Sequence, residues 1–197
     1  MQSPPLILAS SSRYRRELLG RLHWPFECDV PDIDETPLAD EAPADTARRL
    51  AQAKATAVAR KHRDGLVIGS DQVADCDGMA ISKPGGHAGA VAMLTRLSGR
   101  TVMFHTAVAL LNVKTGRMQS EVVGVASTFR QLTAGEIESY LVREQPYDCA
   151  GAVKSEALGI VLFERIESDD PTALIGLPLI ALSRMLRADG IDVLAAH

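Results

Sequence analysis

Acidic and basic side chains suited to one kind of chemistry recur along this 197-residue chain. Asp32, Asp34 and Glu35 fall in "DIDET", and Asp71 follows an apolar run in "VIGSDQV". Such carboxylates are hard oxygen donors that suit Mg2+ or Mn2+. Lys54, Lys83 and Lys154, with Arg13, Arg15 and Arg16 in "ASSSRYRR", are cations that suit the anionic oxygens of a triphosphate. Ser10, Ser11 and Ser12 precede a helical pattern, and the spare backbone N–H groups of a helix start attract anions. Taken singly, each has a plainer reading. An arginine at a helix start is usually solvated, a helical lysine such as Lys54 is usually exposed, and an Asp after a strand can be a turn residue. Together they suggest a metal-assisted phosphate site.

Other chemistries lack their residues. There is no G-x-x-x-x-G-K-[ST] phosphate loop and no G-x-S-x-G nucleophile turn. "GGHAG" resembles a glycine-rich phosphate loop only loosely, and the five histidines have no obvious nucleophile neighbour. Cys28, Cys76 and Cys149 are too few and too widely spaced for a disulfide framework or a zinc site. With a net charge of −4 the chain has no basic face for nucleic acid, although a local cationic pocket could still hold one small polyphosphate. The N-terminus lacks a basic leader region, and no apolar run approaches the roughly 20 residues of a membrane helix. The expectation is a cytoplasmic protein without nucleic-acid or membrane partners.

The elements that must carry these residues alternate along the chain. Leu6–Ala9 is a short apolar run that ends in Ser10-Ser11-Ser12, and 13–22 reads as a helix, with Ser12 as N-cap and Leu18, Leu19 and Leu22 on one face. The acidic, proline-bearing segment 29–43 reads as a loop. Ala44–Lys61 fits a helix with Leu50, Ala53 and Ala57 as its apolar face. Leu66–Gly69 reads as a strand that ends at Ser70-Asp71-Gln72, which would set Asp71 at a strand end facing a cleft. Beyond the break at Pro84-Gly85-Gly86 come a helix stopped by Gly99, two strands around "VKTGR", and a helix opened by Thr133 and Glu136 as a capping box. A loop, "PYDCAGAVKSEALG", leads to a strand "IVLFERI", and a last helix stops at Gly190. The pattern implies one α/β domain, 1–197, with a mixed sheet.

Seven blocks, in order, carry a resemblance over about residues 6–186. "LILASSSRYRRELL", "DIDET", "RLAQAKA", "IGSDQV", "ISKP", "AGAVKSEALGIVLFERIE" and "IGLPLIAL" resemble the Maf-like nucleotide pyrophosphatases. The resemblance implies a two-lobed α/β fold like that of inosine-triphosphate pyrophosphatases, usually a homodimer. It also implies metal-dependent hydrolysis of a nucleoside triphosphate to the monophosphate and pyrophosphate. In those terms Asp71 activates the attacking water, Glu35 and possibly Asp71 hold Mg2+ or Mn2+, and Ser10, Arg15, Lys54 and Lys83 bind the phosphates. Whether Asp71 is the base or purely a metal ligand stays open.

Gln72 after Asp71, and "KSE" at 154–156, look like the branch that acts on 7-methyl-GTP rather than on dTTP or UTP. Chemistry supports that choice. Glu156 could accept both the N1–H and N2–H2 donors of guanine, and the cationic 7-methylguanine ring would stack on Tyr14, where the branch usually has Trp. A site with buried acceptors rejects thymine and uracil, which leave them unpaired. One residue departs from the pattern: Arg13 stands where the family usually has Pro. Hydrolysis of dTTP or UTP, and a nucleotide-binding regulator of septum formation, remain alternatives.

Overall fold

The computed structural model describes residues 4–195. His197 and the ends of the single domain expected over 1–197 lie outside them. Twelve elements matter for the site. They are β1 (Leu6–Ala9), α1 (Arg13–Gly20), β2 (Phe26–Asp29), α2 (Pro43–Ala59), β3 (Leu66–Cys76), β4 (Met79–Ile81), α3 (His87–Leu97), β5 (Thr101–Asn112), β6 (Met118–Phe129), α4 (Ala134–Glu144), β7 (Phe163–Glu167) and α5 (Leu179–Ala188).

The strands form one mixed sheet in the order β2-β1-β3-β5-β6-β7, with β4 paired to β3 off that path. β1 runs parallel to both β2 and β3; every other pairing is antiparallel. This is the α/β mixed sheet expected of the sequence. Alternate side chains of a strand point to opposite faces, and both faces are covered. Leu6, Leu8, Leu66, Ile68, Phe104 and Val108 join the larger core, together with residues of α1, α3, α4 and α5. Ile7, Ala9, Val67, Ala107 and Ala109 meet Ala47, Ala51, Ala55 and Val58 of α2 on the other face.

That second face is thin because its side chains are small. A Cβ added to Gly69 would lie 2.0 Å from the carbonyl oxygen of Ala51 and 2.8 Å from the amide nitrogen of Ala55. Glycine at 69 therefore lets the α2 backbone rest directly on β3. The buried stripe of α2 runs through Thr46, Ala47, Leu50, Ala51, Lys54, Ala55 and Val58. The expected face of Leu50, Ala53 and Ala57 is thus rotated: Leu50 is buried, while Ala53 and Ala57 are only half-buried.

Several sequence expectations hold. Ser12 caps α1, its side chain accepting from the Arg15 amide. Thr133 and Glu136 form the capping box of α4. Gly99 and Gly190, at φ +71° and +83°, follow the ends of α3 and α5. Others need correction. β3 does not end at Gly69 but runs to Cys76, because Ser70, Asp71 and Gln72 keep pairing with Val108, Ala107 and Thr106 of β5. β2, which ends at Asp29 where the expected loop 29–43 begins, and the short β4 are additional strands. In "IVLFERI" only Phe163–Ile166 belongs to β7, and Leu158–Leu162 is a 3-10 turn.

Candidate functional site

The continuation of β3 decides where its polar residues point. Val67, Gly69 and Asp71 share the strand face that carries α2, and Ser70 and Gln72 share the opposite face. Asp71 is therefore aimed at the helix that carries Lys54. Lys54 Nζ donates to Asp71 Oδ1 at 2.6 Å and lies 2.9 Å from Glu35 Oε1. The Lys54 and Asp71 side chains are only 6% and 10% exposed, whereas Glu35 is 58% exposed. Asp71 is thus not a turn residue at a strand end but a carboxylate in mid-strand, buried against an ammonium. Lys54 is not the solvated lysine that its helix position suggests.

A second wall comes from the turn between β1 and α1. Ser10 is buried, and its Oγ accepts from the Ser12 amide at 3.1 Å. Arg15 keeps part of its surface on the cavity, but protein surrounds its guanidinium. That burial pulls its pKa below the usual arginine value, against the opposing pull of Asp71 and Glu35. Arg15 Nε donates to the Gly176 carbonyl at 2.9 Å, which fixes the plane of the guanidinium. Burial raises the Tyr14 phenol, with further contributions from Cys149 and neighbouring acids and opposition from Lys154. Arg13, which departs from the pattern of the resemblance, lies beside the Tyr14 ring and pairs with Glu17. Its Cζ lies 5.8 Å from the Tyr14 ring centroid and its Nε 3.0 Å from Glu17.

On the other face of β3, Ser70 and Gln72 grip the segment before α5. Ser70 Oγ donates toward Gly176 O at 2.9 Å and Ala107 O at 2.8 Å. Gln72 Nε2 donates to Thr106 Oγ1 at 2.8 Å and to the carbonyls of Ala173 and Leu174 at 3.0 Å. The expected specificity residue Gln72 therefore has its amide nitrogen engaged in locating residues 173–176. Buried Asp170 holds the far end of that segment by accepting from Thr172 Oγ1 at 2.8 Å and the Ile180 amide at 2.7 Å.

Lys83 follows β4 and is exposed, while Glu156 lies in an exposed turn beyond α4. Both line the same cavity, of about 870 Å³, as Ser10, Tyr14, Arg15, Glu35, Lys54, Asp71 and Gln72. Ser10, Tyr14, Arg15, Glu35, Lys54, Asp71, Gln72, Lys83 and Glu156 are thus brought to one cavity, whereas Asp32, Asp34, Arg16 and Lys154 do not line it. Cys149 also lines it, and burial first, then Asp148, pushes its thiol pKa up to about 12, so this cysteine is a poor nucleophile. Sequence reasoning missed Ser70, Thr106, Asp170 and the Glu41–Arg49 pair. Ser70 could have been found from the alternation of an uninterrupted β3. Thr106 works through a contact 67 residues away and leaves no local signal, whereas Asp170 and Glu41 bond close neighbours such as Thr172 and Leu38 but read in the sequence as ordinary turn and loop acids.

Glu35 and Asp71 are hard oxygen donors of the kind that suits a divalent cation. Both carboxylates already face one cationic nitrogen, and Mg2+ sites commonly combine one or two carboxylates with substrate phosphates. Among the described residues no group of three or more His, Cys, Asp or Glu could hold a metal.

Comparison with known proteins adds an independent line. A family model described as "Maf-like protein" matches residues 5–189. A Polaromonas sp. protein named "7-methyl-GTP pyrophosphatase" is 58% identical over 193 residues, covering 98% of this chain and 88% of that protein. Proteins of the same name from Ralstonia nicotianae and Thiobacillus denitrificans are 60% and 57% identical, covering 93% and 98% of this chain and 95% and 96% of theirs. A solved structure, a nucleoside-triphosphatase / dITP/XTP pyrophosphatase from Mycobacterium abscessus, superposes with a TM-score of 0.41 at 15% identity over 72% of this chain and 95% of that one.

Proposed function

The chain belongs to the Maf-like protein family, and from that premise we propose that it hydrolyses 7-methyl-GTP to 7-methyl-GMP and pyrophosphate, removing a modified nucleotide. The observation that carries this reading is the single cavity in which the carboxylates, the phosphate-binding cations and the base-recognising pair Tyr14 and Glu156 meet. High identity to proteins named for that reaction supports it.

The residues divide the work by position. Arg15, Lys54 and Lys83 bind phosphate oxygens and stabilise charge that spreads as the bond breaks. Ser10 and the helix start behind it add neutral hydrogen bonds. Asp71 accepts the proton of the attacking water. The water oxygen bonds to the α-phosphorus, the bond from that phosphorus to the bridging oxygen breaks, and pyrophosphate leaves. Glu35 and Asp71 would hold Mg2+ or Mn2+, which neutralises phosphate charge and orients the leaving group when bound. Tyr14 offers an aromatic face to the cationic base, and Glu156 offers acceptors to guanine N–H groups. Gln72 helps indirectly, by fixing residues 173–176 at the cavity edge.

The same reading makes the enzyme a cytoplasmic homodimer acting on a small nucleotide rather than on nucleic acid or at a membrane. No helix among the described residues is long and apolar enough to cross a membrane. Sedimentation of the purified protein measures the dimer. The reaction is tested by mixing the protein with Mn2+ or Mg2+ and, separately, 7-methyl-GTP, GTP, dTTP and UTP, scoring pyrophosphate and phosphate apart. Pyrophosphate chiefly from 7-methyl-GTP is the expected result. Pyrophosphate chiefly from dTTP or UTP would overturn the substrate and keep the chemistry, and binding without turnover would leave a regulator.

A further inference from the structure

Glu35 sits in a stretch without regular structure, residues 30–42, whose side chains are largely exposed; Val30 and Leu38 are 57% and 60% exposed. Such a loop is mobile by default, yet the proposed reaction needs Glu35 held against Lys54 and Asp71. One contact set ties it down. Arg49 Nε lies 2.6 Å from Glu41 Oε1, and Arg49 Nη2 lies 2.7 Å from Glu41 Oε2. Arg49 Nη2 also donates to the Thr36 carbonyl at 3.2 Å, one residue beyond Glu35. Glu41 Oε2 accepts from the Leu38 amide at 3.2 Å and from Thr46 Oγ1 at 2.9 Å. Asp34 closes the turn around Glu35 by accepting from the Thr36 amide at 2.9 Å.

We propose that Arg49, acting through Glu41 and the Thr36 carbonyl, is the positioning residue that holds Glu35 in place for the metal–triphosphate. Isolated exposed ion pairs contribute little, but a bidentate pair with low exposure is the exception. Here the Glu41 side chain is only 11% exposed and bonds donors from three further points of the chain, counting Arg49 as one. Arg49 and Lys54 lie five residues apart on the same rigid helix. The clamp therefore references the Glu35 loop to the element that carries Lys54. The fork is also why lysine cannot replace Arg49: an ammonium is a point charge and cannot bridge both carboxylate oxygens and the Thr36 carbonyl in one plane.

This inference rests on the reading of Glu35 as a metal ligand, and the test separates the two. The probe is Mn2+, followed by electron paramagnetic resonance, titrated into the full chain with an α,β-methylene analogue of 7-methyl-GTP that resists cleavage. Arg49→Lys, Glu41→Gln, Glu35→Gln and the double variant Arg49→Lys/Glu35→Gln are compared with the parent, each with its unfolding midpoint recorded. Loss of a residue that orients a metal ligand typically weakens metal affinity about 10- to 100-fold. The expected result is a loss of at least about 10-fold in Arg49→Lys and in Glu41→Gln, with no further loss in the double variant beyond Glu35→Gln. Hydrogen exchange should also quicken at the Leu38 amide, with little change in α2. If Glu35→Gln weakens Mn2+ binding but Arg49→Lys and Glu41→Gln do not, the positioning role is overturned and the metal reading survives. If none of the variants changes Mn2+ binding, both fall. A lower unfolding midpoint with unaltered Mn2+ affinity would make the clamp purely structural and also overturn the inference.

Discussion

Replacing Lys54 by Met tests whether the ion pair at the floor of the cavity is as buried and as coupled as its geometry implies. Methionine keeps the straight chain and removes the charge. The Lys54 and Asp71 side chains are 6% and 10% exposed and 2.6 Å apart. Removing one partner of a buried pair costs about 3–5 kcal/mol, mostly because the other charge is stranded. Glu35 is 58% exposed, so water takes over its share of the lost contact, and the low end, about 3 kcal/mol, is expected. For a chain of this size 1 kcal/mol shifts the midpoint by about 2–4 °C, so Lys54→Met should unfold about 6–12 °C lower. The double variant Lys54→Met/Asp71→Asn strands no buried charge and should recover most of the loss. Thermal and urea unfolding of the parent, both single variants and the double variant, read by circular dichroism without nucleotide, give the coupling energy directly. A Lys54→Met loss below about 0.5 kcal/mol, or strict additivity in the double variant, would refute the reasoning and mean that Asp71 is hydrated.

Two further outcomes follow from packing and from charge. Gly69→Ala should cost about 3 kcal/mol or more, because its Cβ would meet helix backbone at 2.0 Å and backbone cannot give as a side-chain tip can. It should also reduce turnover by lifting Lys54 away from Asp71; unfolding and the pyrophosphate assay on one preparation check both. Glu136→Gln should destabilise in a pH-dependent way. Hydrogen bonds from the Thr133 backbone first, then from Arg130 and the Thr133 hydroxyl, lower the Glu136 pKa from 4.5 to about 2. Since the folded value lies below the unfolded one, its contribution is full above about pH 4.5 and is lost as the pH falls through about 2. Denaturant midpoints of parent and variant should therefore differ at pH 7 and converge in strong acid; a gap that stays constant from pH 7 to pH 2 would contradict the assignment.

Much of the fold and many of the side chains that line the cavity were legible in the sequence, and the reasons for success and failure are physical. Helix ends are written locally: Ser12 meets an amide three residues on, and Thr133 and Glu136 complete their box within one turn. The hairpin of β5 and β6 is also local, joined by the short turn at 113–117. By contrast, β3 was cut short because polar residues after an apolar run look like a strand end. The strand continues since its polar half has partners from elsewhere in the chain. Asp71 meets Lys54 from α2, and Ser70 and Gln72 meet the carbonyls of residues 173–176. The rotated face of α2 has the same origin. Alanine lies on nearly every side of that helix, so periodicity alone could not choose, and Gly69 chose by admitting Ala51. One glycine without a side chain thus sets the depth of a helix, the depth sets Lys54 over Asp71, and that pairing makes an apparent turn residue the centre of the cavity. Altering the depth without touching any polar residue, as Gly69→Ala does, is consequently the sharpest way to separate the geometry of this site from its composition.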